Sequence, residues 1–208
     1  MRAPRLTATV AILAALAVGN VINTRLDVNT EQLHPVAEEG RIGKVTHLTY
    51  GDVEVTDVRP AEYVAPRFGD DLSPKAGGVF VLVSVKVTAT REPTLFLSAY
   101  LEDSRGRRYR AASKANCAIN VDGGTGIPVY ALFCFDVAPQ ALAGLRFELS
   151  RGNLIYSTLN GDHLADVDLG ISDADEASWR DTDAVYLAET TSLEPFELQE
   201  VTLDQVPS

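Results

Sequence analysis

The chain has 208 residues, 46% of them hydrophobic and 23% charged. That suits one domain of ordinary size with appendages, or two small ones, and excludes wholesale disorder. The formal net charge is −11. Between Ser172 and Ser208 ten acids stand against the single base Arg180, a net −9, so the rest of the chain is close to neutral. An acidic chain of this kind argues against nucleic acid as a partner, because phosphate binding needs clustered Lys and Arg.

The N-terminus carries Arg2 and Arg5 with no acid in residues 1–5, and Leu6–Ile22 then runs 17 residues without a charge. A basic flank followed by an apolar stretch is an export signal. As a helix it would cover about 25 Å, the short end of what spans a bilayer. Two readings stand: a cleaved signal peptide with a small-x-small site at Ala17-Val18-Gly19, or a retained signal anchor. The anchor is preferred, because Val21 and Ile22 continue the apolar run past that site. Arg2 and Arg5 keep residues 1–5 in the cytoplasm and place the bulk of the chain outside the membrane. Residues 23–43 read as a linker, with Asn, Thr, Glu, Pro and Gly and little periodicity.

From Lys44 the pattern turns to β. Asp52–Val64 alternates, but its phase slips between Val55 and Val58, which predicts a bulge. Val79, Val81, Val83, Val85 and Val87 mark one face of a strand whose other face passes from apolar to polar. Thr94–Glu102 alternates through Leu95, Leu97, Ala99 and Leu101. Asp103-Ser-Arg-Gly106 is turn chemistry that reverses the chain into Arg107–Ala111. Val129 to Val137 alternates again. Leu145–Leu149 and Leu154–Thr158 are shorter candidates, and Pro139–Gly144 fits one helical turn. About seven short strands without long helical crossovers predict an all-β sandwich over residues 44–171 and disfavour a parallel α/β fold. Residues 172–208 form an acidic C-terminal extension. It also holds Trp179, the run Val185–Ala188, Phe196, Leu198, Val201 and Leu203, too apolar for a pure acidic brush. Partial packing on the domain is expected.

Cys117 and Cys134 are the only cysteines. They flank Asp122–Gly126, and a hairpin closing at Thr125-Gly126 would set them side by side. An even count in an exported chain is usually a disulfide. Cys134 is out of phase with Phe133, Phe135 and Val137, which calls for a strand apolar on both faces or a shifted register.

The stretch Gly78–Val87 (GVFVLVSVKV), the hairpin Leu101–Arg110 (LEDSRGRRYR), the turn Gly126-Ile127-Pro128 and the strand Leu132–Pro139 (LFCFDVAP) together resemble a bacterial family. It comprises uncharacterised extracytoplasmic immunoglobulin-like domains, common in actinobacteria and similar to the small secreted immunoprotective antigen of mycobacteria. Its usual order is a valine-rich strand, a D-x-x-G-x-x-Y hairpin, a Gly/Pro turn and a strand closing on F-x-V-P; here Ala138 intrudes before Pro139. The match spans residues 44–171. The resemblance implies an immunoglobulin-like two-sheet β-sandwich behind a single N-terminal transmembrane or signal helix, with no known activity and no catalytic residues. The acidic extension and the cysteine pair are not general features of the family.

Candidate chemistry is sparse. His34, His47 and His163 match no zinc spacing. The strings GxSxG, HExxH and the P-loop are absent, and Gly123–Gly126 is explained by a turn. Asp70-Asp71 and the set Asp162, Asp166 and Asp168 could meet calcium, but solvated loop carboxylates explain them better. Arg105, Arg107, Arg108 and Arg110 form the one basic cluster: either a charged hairpin edge that discourages strand pairing, or an interaction patch for the acidic extension or an anionic envelope polymer. No cofactor, metal or enzymatic activity is expected. The expected function is a non-enzymatic, membrane-anchored extracytoplasmic binding domain of the bacterial envelope, held in the membrane by residues 6–22 and meeting an envelope protein or polymer. The alternatives are an accessory subunit of a membrane complex, or a protein secreted after cleavage.

Overall fold

The computed structural model describes residues 35–66, 72–112, 116–152 and 162–206. Fifteen strands occur among them, in chain order β1 Val36–Arg41, β2 Val45–His47, β3 Gly51–Ala61, β4 Tyr63–Pro66, β5 Val79–Ala89, β6 Thr94–Phe96, β7 Ser98–Glu102 and β8 Arg108–Arg110. There follow β9 Val121–Gly123, β10 Pro128–Val137, β11 Arg146–Ser150, β12 His163–Asp168, helix α1 Asp173–Trp179, β13 Val185–Ala188, β14 Thr191–Ser192 and β15 Gln199–Val201. One sheet runs β1-β12-β11-β7-β8 and a second β14-β10-β5-β3-β2; a three-stranded sheet runs β15-β13-β4, and β6 pairs with β9.

The two five-stranded sheets share one core, in a β-sandwich arrangement. The valines of β5, with Val53 and Val55 of β3 and Phe133 and Phe135 of β10, pack against Leu101, Phe147, Leu149 and Val167 of the other sheet. Phe147 stands 5.8 Å from Phe133 and 6.0 Å from Phe135, ring centre to ring centre, so the aromatic contacts cross the interface. Each such fully buried side chain is worth about 1.5–3 kcal/mol. The phase slip in β3 is a bulge between Val55 and Asp57 against β5.

The outer face of the second sheet is apolar too. Phe80 and Leu82 of β5 and Leu132 and Cys134 of β10 lie in a second cluster with Ala61, Val64, Tyr186 and Ala188. Here the C-terminal extension closes over the sandwich. β13 pairs in parallel with β4, from Val185 opposite Tyr63 to Ala188 opposite Pro66, and β14 adds to the edge of β10. This cover explains why β5 is apolar on both sides as far as Leu82. Lys86, further along the same outer face, is only partly buried and pairs with Glu54.

Several expectations need correction. Residues 23–43 are not all linker, since Val36–Arg41 is β1, in parallel register with β12 from Val36 opposite His163 to Arg41 opposite Asp168. It is an edge strand, polar and mostly exposed, held by backbone pairing, and so has no apolar period to read. Thr94–Glu102 is two strands. Phe96 is buried and Leu95 exposed, whereas Ala99 and Leu101 are buried, so the inward face changes sides across Leu97. The cysteines do form a disulfide, but on no hairpin: β9 pairs with β6 and not with β10. Cys117 lies on the loop before β9, tied down where the Ala118 N–H donates to the Leu132 carbonyl. Cys134 points to the outer face, which resolves its phase. The extension is structured, with α1 begun by a capping box in which Ser172 and Asp175 exchange hydrogen bonds.

Among the described residues no helix is long and apolar enough to cross a membrane. The apolar run of residues 6–22, His34, Asp70-Asp71 and the strand expected at Leu154–Thr158 lie outside the described residues.

Candidate functional site

The arginine cluster sits on the β7–β8 hairpin at the edge of the first sheet. Its turn is built on Asp103, whose side chain is 1% exposed. The Asp103 carboxylate accepts the backbone N–H groups of Arg105 and Arg107, each at 2.9 Å, and the Arg107 Nε at 2.6 Å. Gly106 completes the reversal at φ +74°, a left-handed conformation suited to glycine. Burial opposes ionisation of Asp103, but these donors outweigh it and hold its pKa below the usual carboxylate range. Arg108 reaches Glu148 and Glu102 and lies 4.7 Å over the Tyr100 ring. Arg105 and Arg110 are exposed. The four arginines therefore share a hairpin, and two of them, Arg107 and Arg108, are committed to carboxylates within the domain. None of their ion pairs among the described residues reaches the extension.

The aspartates considered for calcium are separately employed. Asp162 pairs with Arg151, Asp166 pairs with Arg146 at 2.7 Å, and Asp168 accepts the Gly170 N–H at 2.8 Å. No group of three metal-ligating side chains converges among the described residues. His47 faces Asp52 and His163 faces Glu38, each at 2.8 Å.

Polar groups converge instead on the cover formed by the extension. The chain between β14 and β15 borders two grooves, both lined by Phe196 and Glu197. One, of about 580 Å³, is lined by Thr56, Asp57, Arg59 and Ser84 below and by Tyr186, Leu198 and Glu200 above. The other, of about 550 Å³, has Leu187, Pro195 and Phe196 as its apolar wall and Glu189, Glu194 and Glu197 among its lining residues. The β3 bulge shapes the first groove: its extra residue Thr56 donates its hydroxyl to the Ser84 carbonyl at 3.2 Å, and Asp57 and Arg59 pair at 3.0 Å. A bulge re-aims side chains in this way. Tyr186 is buried, and its hydroxyl lies 3.4 Å from Glu200. Burial first, then the Glu200 carboxylate, push its phenol pKa up.

Sequence reasoning missed this site. The phase slip at Val55–Val58 and the apolar residues Val185–Ala188, Phe196 and Leu198 were its visible traces. Only the parallel pairing of β13 with β4 brings them together.

No family model and no curated protein matches the chain. Among solved structures it is similar to uncharacterised bacterial proteins. One is the yjhA protein from Bacillus subtilis, 12% identical over 62% of this chain and 99% of that one, with a TM-score of 0.42. Another is an uncharacterized beta-sandwich protein from Clostridium difficile, 10% identical over 64% of this chain and 95% of that one, with a TM-score of 0.36.

Proposed function

We propose that this chain is a non-enzymatic binding module of the bacterial cell envelope, immunoglobulin-like in kind and anchored in the membrane by residues 6–22. The observation that carries the reading is the pair of grooves over the C-terminal cover. Among the described residues they place carboxylates, hydroxyls and the Arg59 guanidinium around Phe196, and Asp57 and Arg59 are already engaged with each other. Such an arrangement suits recognition better than bond breaking. The disulfide agrees with an oxidising compartment outside the cytoplasm, and the sequence resemblance points the same way.

The test is cross-linking in intact cells followed by membrane fractionation and external protease treatment. The expected result is a membrane-bound, externally cleaved protein with a cross-linked partner. Recovery in the cytosol, or protection from external protease, would overturn the localisation. Absence of any cross-linked species would overturn the binding role.

A further inference from the structure

We infer that the end of the sandwich at which β1 begins is a lipid-contacting surface, with Leu95, Ile119 and Ile127 set into the headgroup region of the bilayer. This inference rests on the reading of residues 6–22 as an anchor and adds a second contact with the same membrane.

The first strand, β1, starts with Val36 opposite His163 of β12. The end of β11 and the start of β7 lie at the same end, Ser150 opposite Ser98. In the second sheet, β3 begins there with Gly51 opposite Ala89, and β10 with Pro128 opposite Thr88. Tyr50 ties the two sheets together at this point. Its hydroxyl donates to the His163 carbonyl at 2.7 Å and accepts the Arg151 N–H at 3.1 Å.

Four large apolar side chains are exposed at this end: Val36 by 47%, Leu95 by 45%, Ile119 by 50% and Ile127 by 52%. The β6–β9 ribbon closes the sandwich with Phe96 and Val121 paired and buried. Alternation along β6 then turns Leu95 outward. Ile127 follows a turn pinned where the Gly126 N–H donates to the Ala89 carbonyl. Ile119 borders a cleft of about 280 Å³ with Leu97 and Arg110. Arg91 and Arg110 are exposed here, as are Glu92 and Asp122. Two bases against two acids leave the apolar residues to set the character of the surface. The opposite end differs. It is formed by the β7–β8 turn, the start of β5 and α1, which is held where Glu176 accepts the Ala143 N–H. Among the described residues it carries none of the exposed large apolar side chains.

Apolar residues exposed together at one end mark an interaction surface, and the chain before β1 selects its occupant. Only residues 23–35 separate Ile22 from Val36. A flexible coil of that length reaches about 20 Å. A tether that short, joined at this end, turns this end toward the membrane. Side chains such as Leu and Ile hold an interfacial element when they enter the headgroup and acyl boundary to a depth of about 5–10 Å.

The test uses the full chain in phosphatidylcholine nanodiscs, one chain per disc, with acyl chains either plain or brominated. Bromine quenches tryptophan fluorescence only within the bilayer. Trp179 on α1 is the chain's single tryptophan and the reference at the opposite end. The wild type should emit equally in both discs. Ile119→Trp should lose most of its added emission in brominated discs, and Ser104→Trp, exposed on the β7–β8 turn, should lose none. Adding Leu95→Ser and Ile127→Ser to Ile119→Trp should relieve the quenching. An unchanged circular dichroism spectrum and intact disulfide mass establish that the variants fold. Equal quenching of Trp179 or Ser104→Trp would mark adsorption without a preferred end and overturn the inference. Quenching that survives the two serine substitutions would overturn it too, as would a blue shift of Ile119→Trp seen only in discs holding two chains, which assigns the surface to a second copy. If the chain resists alkaline extraction from vesicles of the same lipid while Ile119→Trp is unquenched, this inference falls and the anchored reading stands; if the chain is extracted, both fall.

Discussion

Asp103 shows how one buried charge organises a turn. It is ionised against the cost of burial because two backbone N–H groups and the Arg107 guanidinium point at it. Hydrogen bonds to a charged group are worth about 1.5–3 kcal/mol, so Asp103→Asn should lower stability by about that much at neutral pH. The folded pKa is depressed. Its contribution is therefore present above the unfolded carboxylate value of about 4 and disappears as pH falls through the lower, folded one. Urea unfolding should show a constant gap between the two proteins from about pH 5 to 8, closing below about pH 4. Gly78 is a second residue whose identity is dictated by its surroundings. A Cβ there would collide with the Val137 carbonyl and press on the Pro139 ring. The Gly77 and Gly78 N–H groups also donate to the Asp136 carboxylate at 2.9 and 2.8 Å. Gly78→Ala should cost about 1–3 kcal/mol as overpacking at the start of β5, read as a lower midpoint in urea with an unchanged slope.

At the scale of elements, the disulfide and the helix cap can be tested separately. Cys117 and Cys134 are 17 residues apart in sequence and 5.8 Å apart between Cα atoms. Replacing both with Ala should destabilise the fold by about 3 kcal/mol through the freed unfolded chain, and chemical denaturation of the double variant measures it. The Ser172 cap of α1 should be worth about 1 kcal/mol to that helix. Its loss in Ser172→Ala should appear as faster amide exchange over Asp173–Trp179 with little change elsewhere. Elements differ in how far the sequence revealed them. β5 and β10 were readable because alternation follows burial when one face meets a core. The β3 bulge was readable because an inserted residue breaks that alternation. The cap of α1 was written as Ser172-x-x-Asp175 and passed over, because acidic residues around it masked a short helix. β1 was unreadable in principle, since a polar edge strand exists only through its partner β12.

For the molecule as a whole, the extension is a third layer and not a tail. Its residues Tyr186 and Ala188 seal Phe80, Leu82 and Leu132, which would otherwise face water. Truncation after Asp181 should leave the sandwich core intact while exposing that patch, giving 1-anilinonaphthalene-8-sulfonate fluorescence and self-association visible by light scattering. The sandwich was foreseeable from strand spacing and turn chemistry alone. The candidate site was not, because its two halves, Thr56–Arg59 and Tyr186–Glu200, are joined only by a pairing between strands more than a hundred residues apart.

That pairing also sets a timetable. On the ribosome, β4 is complete long before β13 exists, just as β1 must wait for β12. Non-local pairing of this kind slows folding, because the loop entropy is spent before the contacts form. Until Val185 emerges, β4 has an open edge and the outer face of β5 and β10 is bare. The nascent chain therefore passes through an interval of adhesiveness that ends only once β13 and the strands after it have emerged, and a holdase would find its substrate in that window.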